Sequence, residues 1–94
     1  MVEKWAIKSS SEVLLEDIDE CLACYSLVTG RTHILDAFPG EVVKLLSHQP
    51  KTSFDISEDF TLRVGEGSPA EWAPKIEAVL AELRDLQLVE AWTL

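Results

Sequence analysis

The side chains that could do chemistry in this 94-residue chain are two cysteines, two histidines and a scatter of acidic groups. Cys21 and Cys24 have the spacing of half a zinc site. A structural zinc site takes four ligands, as a rule from two such pairs, and the chain has no second pair. The run Cys21–Val28 is strand-like, and on a strand residues i and i+3 point to opposite faces, so the two thiols are not expected to converge. They are read as small buried hydrophobes. His33 could act as a general base only beside a nucleophile, and none is evident; Asp36 is its near neighbour in sequence. A surface or half-buried strand histidine, one that could touch a bound peptide, is the expectation. His48 at a helix C-terminus suits the helix dipole. Asp17, Asp19 and Glu20 lie in a loop too short for an EF-hand and are read as a solvated turn. Gly65-Glu66-Gly67 belongs to no phosphate-loop pattern and is read as a flexible connector. The three tryptophans are assigned to core and edge packing. No catalytic set emerges, so no enzyme activity, metal or cofactor is expected.

The elements that must carry these residues follow from periodicity. Trp5 and Ile7 alternate with polar neighbours and predict a short strand, followed by a break at Ser9-Ser10-Ser11. Glu12 to Glu16 predicts a strand, Asp17 to Glu20 a polar turn, and Cys21 to Val28 a central strand apolar on both faces. Thr29-Gly30 supplies a hairpin turn, with Gly30 free to take positive φ. Arg31 to Leu35 completes a three-stranded antiparallel meander. Asp36 is a good N-cap, and Pro39 and Glu41 suit a first helical turn. Phe38, Val42, Leu45 and Leu46 form an apolar stripe at helical spacing, ended by Ser47-His48-Gln49-Pro50. Residues 53–64 stay open: Ser53 could cap a helix presenting Ile56 and Phe60, but Phe54 and Ile56, and again Thr61 to Val64, alternate like a strand. Ser68-Pro69-Ala70-Glu71 is a capping box with proline at the first helical position. Pro74 predicts a kink, or a fresh start near Ala73. Ile76, Val79, Leu80, Leu83 and Leu86 form one broad stripe, and Leu88 to Leu94 a closing strand that could pair with the Trp5 segment. Sheet and last helix each have an apolar side and must cover each other. The fold class predicted is α+β, winged-helix-like: a three-stranded antiparallel meander, a three-helix segment, and short terminal strands.

The net charge of −9 comes from 17 acidic and 8 basic residues, the latter scattered. Nucleic-acid binding needs clustered positive charge, so DNA and RNA are not expected partners. Neutral or basic partners fit better. The N-terminus lacks the apolar run of a signal peptide, and no stretch reaches a membrane span, so a cytoplasmic location with reduced cysteines and no membrane partner is expected.

What remains is the edge of the third meander strand. Natural edge strands are guarded by proline, lysine or a bulge, and Thr32 to Leu35 has none. Such an edge is either covered by its own chain or open to a strand from elsewhere. With the last helix beside it, it would form a groove with backbone hydrogen bonds on one wall and apolar side chains on the other.

The stretch Cys24-Tyr25-Ser26-Leu27-Val28-Thr29-Gly30-Arg31-Thr32-His33-Ile34-Leu35-Asp36 resembles the Y-x-x-x-S-G-x-T-H-L-L segment of PqqD-like proteins, in particular those of HPr-rel-A systems. Trp5, Glu41 to Leu46 and Val79 to Glu90 fit the same pattern. Thr29 stands in place of the usual serine, Gly40 in place of an alanine, and Phe54 to Pro69 matches poorly. The resemblance implies that residues 1–94 form a single peptide-recognition domain of the kind used in making ribosomally synthesised, modified peptides. It implies a non-catalytic chaperone that binds a precursor's leader peptide as an added strand and presents it to a modifying enzyme, here an HPr-kinase-like protein of the same system. Carried over, the peptide-binding residues are Arg31, Thr32, His33, Ile34 and Leu35 on the strand and Lys75, Val79, Glu82, Leu83 and Leu86 on the helix. Which flank of the helix faces the groove stays open at this point. So do two other readings: a winged-helix DNA-binding regulator, which the charge opposes, and a structural subunit whose edge is occupied by the Trp5 segment or by a second copy in a homodimer.

Overall fold

A computed structural model describes residues 3–8 and 12–93; the serine break at 9–11 and the final residue of the closing strand lie outside the described residues. The order of elements is β1 (Glu3–Ile7), β2 (Val13–Ile18), β3 (Cys21–Ser26), β4 (Thr32–Leu35), α1 (Ala37–His48), β5 (Lys51–Thr52), α2 (Ser53–Val64), α3 (Pro69–Asp85) and β6 (Val89–Thr93). They form two three-stranded antiparallel sheets, β5-β1-β6 and β2-β3-β4, with three helices: the α+β, winged-helix-like class expected.

The meander differs in detail from its sequence reading. β2 runs on to Ile18, which pairs with Cys21, so only Asp19 and Glu20 turn the chain, Asp19 taking a positive φ of 55°. β3 stops at Ser26 rather than Val28. The Ser26 backbone donates to the Arg31 carbonyl at 2.8 Å, its own carbonyl accepts from Gly30 N–H at 2.8 Å, and its side chain accepts from Thr29 N–H at 3.2 Å. The connection is therefore a loop over Leu27 to Gly30, not a two-residue turn, and Leu27 and Val28 stand exposed in it. Gly30 supplies the positive φ, 74°.

Asp36 occupies the N-cap of α1, though its side chain makes no capping bond. Gly40, a weak helix former by type, lies where α1 crosses β3: a Cβ there would stand 3.3 Å from the Leu22 Cβ. Glycine thus sets the helix-to-sheet spacing. Gly40→Val, which adds branched methyls at that crossing, is expected to cost about 1–3 kcal/mol in urea denaturation, typical of overpacking.

The open segment 53–64 is helical throughout. Its cap is Thr52, not Ser53: the Thr52 hydroxyl accepts from Asp55 N–H at 3.0 Å and the Asp55 carboxylate accepts from Thr52 N–H at 3.2 Å. Gly65, with φ 78°, ends the helix by donating to the Thr61 carbonyl at 3.0 Å. The alternation at Thr61 to Val64 is coincidental, because Phe60 is buried while Leu62 is 81% exposed. Lys51 meets Asp59 at 3.1 Å and ties β5 to α2. α3 starts at the Ser68 cap and continues through Pro74 without a fresh start. Ile76, Leu80 and Leu83 are its core face, packed with Val42, Ile56 and Leu88.

β6 pairs with β1 from Val89↔Ile7 to Thr93↔Glu3, as the closing strand was expected to. The Trp5 segment therefore lies in the other sheet and does not fold onto β4. Its other neighbour, β5, was not foreseen: two residues carry no periodic signal.

Candidate functional site

β4 pairs with β3 alone among the described residues, and its second edge has no strand on it. The ladder's phase says which groups that edge offers. Ser26 N–H bonds to the Arg31 carbonyl, and Cα partners run Tyr25↔Thr32, Cys24↔His33, Ala23↔Ile34 and Leu22↔Leu35. Hydrogen-bonded and non-bonded pairs alternate in an antiparallel ladder. His33 and Leu35 thus turn their backbone groups to β3, and Thr32 and Ile34 turn theirs outward. Side chains follow the other alternation: His33 and buried Leu35 point to the helix side, and Thr32 and Ile34 to the outer face.

α3 forms the opposite wall. Arg84 lies 5.8 Å over the Trp5 ring, which assigns that flank of α3 to the β1 side. Residues 75, 79, 82 and 86 lie on the other flank at helical spacing. Leu86 meets Arg31 and His33 there, around a depression of about 330 Å³ completed by Thr29, Asp85 and Gln87. The flank carrying Lys75, Val79, Glu82 and Leu86 is therefore the one on the β4 side, which periodicity alone left open. The far end is closed by aromatic rings. Phe38, just past β4, packs against Phe60 at 5.1 Å and Trp72 at 6.0 Å, and Lys75 sits 5.2 Å over the Trp72 ring. α3 thus runs antiparallel to β4, with Trp72 near the end of the strand and Leu86 near its start.

The sequence-derived residues divide by place. Arg31, His33 and Leu86 come together at one end of the groove. Thr32 and Ile34 offer backbone groups along it. Val79, half-buried, and exposed Glu82 lie on its helix flank. Lys75 is on that flank but at the aromatic end, where it lines a separate depression with Val64, Glu66, Gly67, Glu71 and Trp72. Leu35 and Leu83 are 8% and 1% exposed and pack in the core, backing the walls rather than surfacing in them.

Thr29, Asp85 and Gln87 were not foreseen. Gln87 carries a signal: the helix must turn back into β6, and no glycine is present to do it. Leu88 N–H donates to the Leu83 carbonyl at 3.0 Å and Gln87 N–H to the Arg84 carbonyl at 2.9 Å, a Schellman cap with glutamine at φ 61°. A non-glycine residue in this conformation costs about 1–2 kcal/mol. Gln87→Gly is expected to raise stability by about 1 kcal/mol, read from the urea midpoint at unchanged m-value.

The remaining chemistry-bearing residues stay apart. Cys21 and Cys24 project to opposite faces of β3. Burial pushes the Cys24 thiol up to about 11, which disfavours the thiolate that a nucleophile or metal ligand requires. Among the described residues no group of three or more His, Cys, Asp and Glu side chains could hold a metal ion. Nor is any helix there long and apolar enough to cross a membrane. What the groove can do is hold an extended chain: outward N–H and C=O groups on one wall, an apolar flank with Val79 and Leu86 on the other, and opposite charges, Arg31 and Asp85, at one end.

The chain is similar in structure to TbiB1, solved in complex with the TbiA(β) leader peptide, with a TM-score of 0.77 and 21% identity over 90% of this chain and 94% of that one. That likeness shows a shared fold. No protein-family model matches the chain, and no curated protein matches it in sequence.

Proposed function

We propose that this chain is a peptide-recognition module that binds the leader segment of a precursor peptide as an added strand on β4, with its side chains laid against the Val79–Leu86 flank of α3. The observation that carries the reading is the free, unguarded β4 edge opening onto that helix flank. Fold likeness to a protein solved with a leader peptide supports it, as does the resemblance of residues 24–36 to PqqD-like proteins of the HPr-rel-A group. In this reading the chain does no chemistry itself. It presents the bound precursor to a modifying enzyme, for which an HPr-kinase-like protein of the same system is the partner proposed, in the cytoplasm.

Strand addition gives affinity through main-chain hydrogen bonds and selectivity through pockets for alternate side chains. The depression at Arg31, His33 and Gln87 is the pocket suited to a polar side chain, and the α3 flank suits aliphatic ones. Amide hydrogen exchange is the test. In the isolated chain the Thr32 and Ile34 amides exchange fast at every concentration, while those of His33 and Leu35 are protected by the ladder. A cognate leader peptide slows Thr32 and Ile34 selectively. Protection of these two that grows with protein concentration would instead mean edge-to-edge pairing of two copies, and peptide addition would lose its acceptor.

A further inference from the structure

The helices lie against one face of the β2-β3-β4 sheet, where Leu22, Cys24 and Leu35 are buried. The other face carries Leu14, Glu16 and Ile18 from β2, Tyr25 from β3, and Thr32 and Ile34 from β4, by strand alternation and register. Leu14, Ile18 and Ile34 are 49%, 42% and 59% exposed there. In the row between Leu14 and Ile18, the Glu16 carboxylate accepts a hydrogen bond from the Tyr25 hydroxyl at 2.9 Å.

We propose that this outer sheet face docks a second protein, one that presents an apolar patch bearing a lysine or arginine for Glu16. Burying a carboxylate among leucine and isoleucine side chains is unfavourable unless it is paired, and Tyr25 supplies a single donor. The occupant must therefore bring positive charge. A second copy of this chain would instead bring another Glu16, another acidic Asp19-Glu20 turn and a further net charge of −9, a repulsive arrangement. A tyrosine within an apolar patch is the kind of anchor on which interface energy concentrates.

The face is continuous with the β4 edge. A strand added there would lengthen this sheet by one strand and set every second peptide side chain in the plane of the face. A partner seated on Leu14, Ile18 and Tyr25 would then touch the bound peptide as well. This extension rests on the peptide-binding reading; the face itself does not.

Photo-crosslinking in the producing cells tests both separately. p-Benzoylphenylalanine is placed in turn at Leu14, at Ile18, at His33 in the groove, and at Leu62 on the far side as a control. The expected result is one protein cross-linked from positions 14 and 18 and not from 62, at a site beside a lysine or arginine. Glu16→Arg lowers that yield by about tenfold or more, and reversing the partner's basic residue to glutamate restores it. A cross-linked dimer of this chain, an equal product from position 62, indifference to Glu16→Arg, or no product from 14 and 18 each overturns the proposal. Position 33 reports on the groove independently. A short peptide captured there with nothing on the face would sink the docking and keep the peptide reading, and the reverse pattern would do the opposite.

Discussion

Proline at Thr32 or at Ile34 is expected to weaken peptide capture roughly tenfold or more while leaving the chain folded. Proline at His33, between them, is expected to damage the fold instead. The contrast follows from the ladder. Thr32 and Ile34 turn their amides to the empty side of β4, so removing either N–H breaks no bond in the sheet and proline is tolerated as on other edge strands. The loss appears when a peptide arrives: one main-chain bond, worth about 0.5–1.5 kcal/mol net, cannot form, and the ring obstructs the incoming strand. His33 gives its amide to β3. Its replacement orphans the carbonyl of Cys24, a residue with 0% exposure, at a cost of about 1–3 kcal/mol. Fluorescence anisotropy with a labelled leader peptide, beside urea midpoints for the three variants, separates the effects. Unchanged affinity in both outward variants would mean that β4 is not the acceptor.

The parts of this architecture that are legible in the sequence are those with a long period or a strong punctuation mark. Ile76, Leu80 and Leu83 announce α3 through several turns, and Ser68-Pro69 marks its start. A short run apolar on both faces carries β3, and the edge of β4 is visible because no proline or lysine stands in it. What escapes has a short or competing signal. β5 is two residues long. Phe54 and Ile56, and again the stretch Thr61 to Val64, alternate by accident on a helix whose true cap, the Thr52–Asp55 pair, precedes the apparent one at Ser53. Pro74 looks like a break, yet it sits one turn into a helix held by tertiary packing of Ile76 and Leu80 beyond it, so the lost bond to the Ala70 carbonyl is outweighed. Gly40 looks like a weakness in α1 and is instead a spacing requirement against Leu22, which only the crossing of helix and sheet can show.

The same logic separates the two halves of the candidate groove. Its strand wall is local, and the sequence places it at Arg31 to Leu35; that the strand starts at Thr32 and turns Thr32 and Ile34 outward follows only from the ladder's register. Its helix wall depends on how α3 is rotated, and that is decided by contacts distant in sequence: Arg84 over Trp5 on one flank, Leu86 beside Arg31 and His33 on the other. Periodicity gives a stripe, not its absolute orientation. Gln87, at the end of the groove, has a left-handed backbone because the chain must reverse there to pair β6 with β1, a constraint that arises from the whole topology.

Phe60→Ala is expected to have the largest effect on stability, about 3–5 kcal/mol. Phe60 is 6% exposed and stands between Phe38 of α1 and Trp72 of α3, with ring centroids 5.1 and 5.5 Å away. Its removal leaves a cavity where three helices meet, and both ring contacts, edge-on to Phe38 and tilted to Trp72, each worth about 0.5–1.5 kcal/mol beyond burial, go with it. For a domain of this size each kcal/mol moves the melting temperature by about 4–8 °C, so a fall of roughly 12 °C or more is expected. Phe54→Ala, six positions earlier in α2 at 58% exposure, is the control and should stay within about 0.5 kcal/mol. The cluster also spaces the N-terminal half of α3 from the end of β4. Where Phe60→Ala remains folded, at low temperature, leader affinity should fall too, because the helix wall is no longer held at a fixed distance from the strand. Full affinity in a folded Phe60→Ala chain would place the peptide's anchoring at the Arg31–Leu86 end alone, and would leave the aromatic cluster a purely structural role.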